Sequence, residues 1–306
     1  MTSNPVDEGS IRRAVDAIRA AIVDGADRTT ARRTVLPVAA GELLLMPAES
    51  RRAVGTKVIS VAHHNAERGL PRIQGTYLLM DAATLTPVWQ TDAAALTVLR
   101  TTAVTMAGVE TLLAHTSRTS VARALVWGTG PQAERHVAAL AELGLADTCT
   151  IAGRSPASVE RVVSAARASC ADMAVAAARD GDVAEADLIV CCTSATSPLF
   201  DDGVGAALRD DVIVAAIGSH RPDERELPTG LMGRASIVVD GTSAIDTAGD
   251  VRIAVADLGR SLTVVTLGDV LRGATLPAVT GPYVFKTVGE AWQDLAVAES
   301  LAGDRL

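Results

Sequence analysis

VARALVWGTGPQAERH, residues 121–136, decides the fold. VARALVW, 121–127, reads as a strand buried on both faces. The turn Gly128-Thr129-Gly130-Pro131-Gln132-Ala133 follows it at once, and helical periodicity runs from Gln132 to Leu143. A lone G-x-G is weak, but a strand directly before it and a helix directly after are the context a dinucleotide turn requires. The glycines let the backbone approach a pyrophosphate. The helix start offers free N–H groups and a partial positive charge. Ala133 replaces the usual third glycine and still permits close helix–strand packing. The competing reading is a tight strand–helix turn in an α/β domain that binds no nucleotide.

On the C-terminal side, further apolar strands are expected at CTIAG (149–153), MAVAAA (173–178), DLIVCCT (187–193), DVIVAAIG (211–218) and SIVVDG (236–241). A helix is expected from Pro156 to about Ser169, and helical or loop segments separate the other strands. Buried strands alternating with helices predict a doubly wound parallel sheet, a Rossmann α/β domain. On the N-terminal side the texture differs. An amphipathic helix is expected over 11–24. Strands follow over 34–46 (two, around Ala40-Gly41), 54–62, 75–81 and 87–90, then a helical stretch from Asp92 to His115. This predicts a strand-rich α+β domain. Short helices and turns are expected after Leu262. VFKTVG, 284–289, then leads into a last helix, Glu290 to Ala302, which is expected to return to the first domain. The expected domains are therefore 1–104 with 284–306, and 105–283.

The bulk numbers bound the function. A chain of 306 residues suits two domains. Aromatic residues make up 2%, the formal net charge is −8, and no long basic run occurs, which excludes stacking-based or phosphate-backbone binding of nucleic acid. Apolar runs stay under about ten residues, far short of a membrane span. The N-terminus MTSNPVDEGSIRRAVDAIRAA has no apolar core of a secretory signal, so a cytoplasmic protein is expected. Cys149, Cys170, Cys191 and Cys192 form no C-x-x-C pair and are expected to be buried thiols in a reducing compartment. No metal site is expected.

Two features point to the ligands. An NAD site usually carries an acid at the end of the second strand, bonding the ribose 2′-hydroxyl. Gly153-Arg154-Ser155 offers a guanidinium and a hydroxyl there instead. These suit a 2′-phosphate, so NADP(H) is preferred, with NAD(H) as the alternative. In the first domain, Arg33, Lys57 and Arg100 are isolated cations. Lys57 sits among apolar neighbours in VGTKVISV, where lysine is uncommon unless it faces a polar site. The three could bind a carboxylate and polarise an imine, or each could be a surface charge. His63 and His64 are expected to be solvated.

The chain resembles the ornithine cyclodeaminase / mu-crystallin family over about Arg33 to Leu295. The matching stretches are R-T-V-L-P-V (33–38), L-L-M-P-A (44–48), G-T-K-V (55–58), E-R-G-L-P (67–71) and L-R-T-T-A (99–103). They continue with G-T-G-P-Q-A (128–133), the Asp187 strand with Thr193, I-G-S-H-R-P-D-E-R-E-L (217–227) and V-F-K-T-V-G (284–289). The resemblance implies a homodimer whose first domain, completed by the C-terminal helix, binds a small imino- or amino-acid substrate and dimerises. It implies a substrate carboxylate held by Arg33 and Lys57, with Arg100 near substrate and cofactor and Lys57 beside the reacting carbon and nitrogen. It carries cofactor contacts to Arg72, Arg100, Thr101, Gly128, Gly130, Pro131, Gln132, Arg154, Ser155, Thr193, Ser219 and Lys286.

Within that family the resemblance separates two reactions. Cyclodeaminases carry a proton-transferring aspartate in G-G-D-x-P-G. Here the matching position is His220, and the aspartate is displaced to Asp223. G-S-H-R-P-D-E-R-E-L is similar to the imine-reductase pattern G-[AS]-x-R-P-D-x-R-E-L. The expectation is reduction of an α-imino acid such as Δ1-pyrroline-2-carboxylate or Δ1-piperideine-2-carboxylate, with the proton donor open among Lys57, His220 and Asp223. The alternatives are cyclodeamination of ornithine, alanine-dehydrogenase-like reduction of a linear imine, and an NADP-binding protein without catalysis.

Overall fold

A Cβ at Gly41, which has φ +150°, would lie 2.0 Å from the Val61 carbonyl oxygen. Only glycine fits that turn, and it folds the first apolar segment back on itself as a hairpin. The computed structural model describes residues 10–28, 33–62, 64–276 and 281–306. The reading of the extreme N-terminus and His63 lie outside the described residues. The chain divides into two units, Met1–Ala103 with Glu290–Leu306, and Val104–Gly289.

In the first unit, α1 (Ile11–Val23) precedes strands β1 (Thr34–Val38), β2 (Gly41–Glu49), β3 (Ala53–Ala62), β4 (Ile73–Asp81) and β5 (Pro87–Asp92). The five strands form an antiparallel meander in sequence order. Pro37 lies in the edge strand β1, where its missing N–H breaks no ladder on the open side. Side chains alternate across a strand, so Ala53, Gly55, Lys57 and Ile59 share the buried face of β3. That register places the lysine inside. α2 (Ala93–His115) carries the chain from the first unit into the second.

The second unit holds β6 (Val121–Trp127), α3 (Pro131–Glu142), β7 (Ala146–Ala152), α4 (Pro156–Ser169), β8 (Ala174–Ala177), α5 (Asp182–Glu185), β9 (Leu188–Cys191), α6 (Asp202–Ala207) and β10 (Ile213–Ala216). There follow α7 (Thr229–Arg234), β11 (Ser236–Val239), α8 (Ser243–Thr247), α9 (Gly249–Leu258), β12 (Val264–Thr266), α10 (Leu267–Leu271) and β13 (Tyr283–Lys286). The sheet order is β12-β11-β13-β10-β9-β6-β7-β8, with every pairing parallel. β9, β10 and β11 are buried along their whole length, as a sheet covered on both faces requires. β6 lies between β7 and β9, so the glycine turn after it sits at the topological switch point, where open α/β sheets bind ligands.

Two expectations are corrected. β12 forms after Leu262 where only helices and turns were expected; three residues are too few to show a period. The segment beginning at Val284 belongs to the parallel sheet, because β13 slots between β10 and β11. The chain therefore re-enters the first unit at Glu290 rather than at 284. There α11 (Ala291–Ala302) packs against α1 and β3. It is buried nearly all round, with Gln293 and Asp294 both fully inside.

Candidate active site

A buried ammonium needs a partner, because removing a lone cation from water costs several kcal/mol. Lys57 is 1% exposed and has that partner in Asp294, itself 0% exposed. The Lys57 Nζ lies 2.9 Å from Asp294 Oδ1 and 2.8 Å from Oδ2, and it donates to Thr97 Oγ1 of α2 at 3.1 Å. Arg100, one turn further along α2, faces the same acid. Its Nε lies 3.3 Å from Asp294 Oδ1, and its Nη1 donates to Gln293 Oε1 at 3.0 Å. The centre thus joins β3, α2 and α11. Burial, helped by the charges of Arg100 and Arg33, pushes the Lys57 ammonium down to about 8 against the pull of Asp294. Arg33 is exposed, just before β1, yet close enough for its charge to reach Lys57. Lys57 and Lys286 are the only lysines among the 28 lysines and arginines of the chain.

Tyr77 lies opposite Lys57 in the β3–β4 register and is fully buried. Its hydroxyl has no hydrogen-bond partner among the described residues. A Cβ at Gly55 would lie 1.9 Å from that oxygen, so the glycine of G-T-K makes room for the phenol. Burial, Asp294 and Glu299 all raise the Tyr77 pKa well above its usual value, so it stays a neutral phenol.

The turn after β6 fits a dinucleotide. Gly128 has φ +134°, and a Cβ there would meet the Cys192 carbonyl oxygen at 2.4 Å. Gly130, at φ −91°, is different: a Cβ there would find no heavy atom within 4 Å, so the space beside it is open. α3 starts at Pro131 with no side-chain cap, leaving first-turn N–H groups for an anion. The Gln132 Oε1 is buried without a partner among the described residues, and a ribose hydroxyl could donate to it. Ala133 is fully buried in the helix–sheet contact. After β7, Arg154 is exposed, and Ser155 caps α4 by accepting from Ser158 N at 3.4 Å.

Glu226, 0% exposed, ties two strand ends together. Its Oε1 accepts from Thr193 N at 2.9 Å and Oγ1 at 2.7 Å, beyond β9. Its Oε2 accepts from Gly218 N at 2.7 Å, beyond β10. Asp250 supports it from α9, accepting from the N–H groups of Glu226 and Leu227 and, at 2.6 Å, from Ser219 Oγ. The Lys286 Nζ completes the cluster at 3.0 Å from Asp250 Oδ2 and 2.6 Å from Ser219 O. Burial raises the Glu226 pKa, opposed chiefly by Lys286.

The structure therefore brings Lys57, Arg100 and the nearby charge of Arg33 together, and separately Thr193, Ser219 and Lys286. The side chains of Ser219 and Lys286 bond to each other and to Asp250, which gives both a part in shaping the 217–219 turn. Thr101 is buried and Arg72 exposed. His220 and Asp223 are exposed in the turn between β10 and α7. His64 is exposed and pairs with Glu67 at 2.9 Å. The four cysteines are free; Cys149, Cys170 and Cys191 are buried, and Cys192 is half-buried. Sequence reasoning missed Asp294, Gln293, Glu226 and Asp250. The signal for the first pair was two polar residues inside the apolar helix AWQDLAVA.

The chain belongs to the ornithine cyclodeaminase/mu-crystallin family, whose model matches residues 6–304. It is 33% identical over 272 residues to the Δ1-pyrroline-2-carboxylate reductase 2 of Burkholderia ambifaria, covering 88% of this chain and 82% of that one. It is 30% identical to the ketimine reductase mu-crystallin of Mus musculus, covering 87% and 82%. The Δ1-pyrroline-2-carboxylate reductase of Thermococcus litoralis, solved with NADH and L-proline, has the same fold: TM-score 0.82, 20% identity, 96% of this chain and 93% of that one. Among the described residues, no helix is long and apolar enough to cross a membrane.

Proposed function

We propose that this chain reduces the C=N bond of a cyclic α-imino acid, Δ1-pyrroline-2-carboxylate or Δ1-piperideine-2-carboxylate, to the L-amino acid. The observation that carries this reading is the fully buried Lys57 ammonium, held between Asp294 and Thr97 beside Arg100. Relatives at 33% and 30% identity described as a pyrroline-carboxylate reductase and a ketimine reductase support the substrate class. When bound, a nicotinamide dinucleotide supplies the hydride. Gly128, Gly130, Gln132 and the start of α3 would hold its pyrophosphate, with Thr193 and the 217–219 turn, shaped by Ser219 and Lys286, lining the carboxyl edge of the sheet. Arg154 and Ser155 would take a 2′-phosphate, so NADPH is preferred to NADH.

The chain's own groups would act as follows. Arg33, Arg100 and Lys57 fix the substrate carboxylate, and the cationic surroundings favour hydride arrival at the adjacent carbon. Lys57 is the buried one of the three groups considered as proton donor, His220 and Asp223 being exposed. At a pKa of about 8 it is protonated at neutral pH and close enough to neutrality to give a proton up. A homodimer is the inferred assembly, supported by the apolar side chains Val35, Leu36 and Val38, each more than 40% exposed along β1.

The test is NADPH oxidation with each cyclic imino acid, with NADH in parallel. Turnover of either ring supports the reading. No turnover with any cyclic or linear imino acid sinks it, and ammonia release from ornithine with catalytic NAD alone would replace it with cyclodeamination.

A further inference from the structure

Asp294 stands out because nothing in the reduction itself requires it. A substrate carboxylate needs cations, and an acid in their midst competes with it. Yet Asp294 sits fully buried on α11 with one oxygen within 2.9 Å of the Lys57 Nζ and 3.3 Å of the Arg100 Nε, and the other 2.8 Å from Nζ. Gln293 holds the same guanidinium through Nη1. Helix α11 thus presents two consecutive polar side chains to two cations from two other elements.

We propose that Asp294 is the positioning residue of this centre: its carboxylate pins the Lys57 ammonium and the Arg100 guanidinium side by side, so that a substrate carboxylate meets two cations already in place. The inference rests on the substrate-binding role given to those cations above. Two cations packed together without a counter-charge repel, and the weaker one sheds its proton. Among the described residues, the charged and titratable groups facing Lys57 are Asp294 from α11, Arg100 from α2, Arg33 from before β1 and Tyr77 from β4. Only Asp294 is an anion. With Asp294 present, the pair carries one net positive charge, which one substrate carboxylate neutralises. The other side chain that Nζ bonds to is the uncharged Thr97 hydroxyl, so the charge on the lysine depends on the acid.

The chain allows a direct test. With lysine labelled at Nζ and Cε, the spectrum holds two side-chain signals, Lys57 and Lys286, told apart by Lys286→Met. In Asp294→Asn the Lys57 titration midpoint is expected to fall by about 1–3 pH units, as removal of a close opposite charge dictates. The alkaline limb of the kcat/KM profile should fall with it. Asp294→Glu keeps the charge but moves the oxygens, so the midpoint should stay near that of the unsubstituted protein while kcat/KM drops about tenfold or more. An unmoved Lys57 midpoint in Asp294→Asn overturns the proposal, and so does a moved midpoint with an unmoved alkaline limb. Should Asp294→Asn not fold, Asp294→Glu decides: unchanged kcat/KM overturns the positioning role. If the unsubstituted enzyme turns over no imino acid, the reductase reading fails, while the midpoints still decide whether Asp294 holds the lysine charged.

Discussion

Lys57 and Asp294 are 237 positions apart in the chain and meet at 2.8 Å, with side chains 1% and 0% exposed. Such a pair contributes little net stability, because desolvation of the two charges offsets most of their attraction. Breaking it is costly, because one buried charge is left without its partner. A fold that keeps this arrangement where two apolar residues would pack as well has a use for the ammonium.

Lys57→Met should therefore lower kcat/KM by about 10²–10⁴-fold, the range expected for loss of a positioned proton-transfer group. The affinity for NADPH should stay within about threefold, since that cofactor's turn belongs to the second unit. Steady-state kinetics and cofactor fluorescence titration measure the two quantities. Equal loss of both, with a lowered Tm, would make Lys57 structural.

Two glycines of one turn should behave in opposite ways. Gly128→Ala places a Cβ 2.4 Å from a backbone oxygen at φ +134°, so the variant should be destabilised whether or not cofactor is present. Gly130→Val meets no protein atom within 4 Å of its Cβ and should keep the Tm near that of the unsubstituted protein. If the open space beside Gly130 is where the pyrophosphate lies, the second variant should still lose NADPH affinity by tenfold or more, about 1.4 kcal/mol. Thermal melts with and without NADPH separate the cases; an unchanged affinity in Gly130→Val would move the pyrophosphate elsewhere.

Arg154→Ala should weaken NADPH by about tenfold and NADH by less than about twofold, because a charge-assisted contact to a 2′-phosphate has no counterpart in NADH. Parallel dissociation constants for both cofactors check it. An unsubstituted protein that binds the two equally would remove the basis for an NADP preference.

His136 couples stability to pH. It is fully buried on α3, with Nδ1 2.7 Å from the Gln132 carbonyl oxygen, and burial lowers it from 6.5 to about 4. The unfolded chain then binds more protons than the folded one between those values, so stability rises with pH across that window and falls on acidification through it. The gap of about 2.5 pH units, at about 1.4 kcal/mol each, sets an upper limit of about 3–4 kcal/mol. His136→Gln should flatten the urea-unfolding free energy between about pH 4 and 6.5. A slope as steep as in the unsubstituted protein would assign it to other groups.

The parallel domain was legible because its strands are long apolar runs and the glycine turn has a fixed context. β6 and α4 match their expected bounds residue for residue. β12 was hidden by its three residues, and β13 by its position after the point where the domain seemed to end. Lys57 was visible in sequence because a lysine in an apolar strand breaks a local pattern. Asp294 was not singled out, because its role depends on a contact 237 residues away that no local pattern records. Glu226 was passed over for a similar reason: the strand ends it joins lie at Thr193 and Gly218.

Because the chain's two lysines are both buried, at 1% and 0% exposure, a lysine-specific endoprotease finds no accessible target in the native fold. Cleavage after Lys57 requires the opening of β3, and cleavage after Lys286 the opening of β13. The two cuts release different fragments. A time course of digestion under native conditions therefore reports separately how often each of the two units comes apart, with no label and no engineered residue.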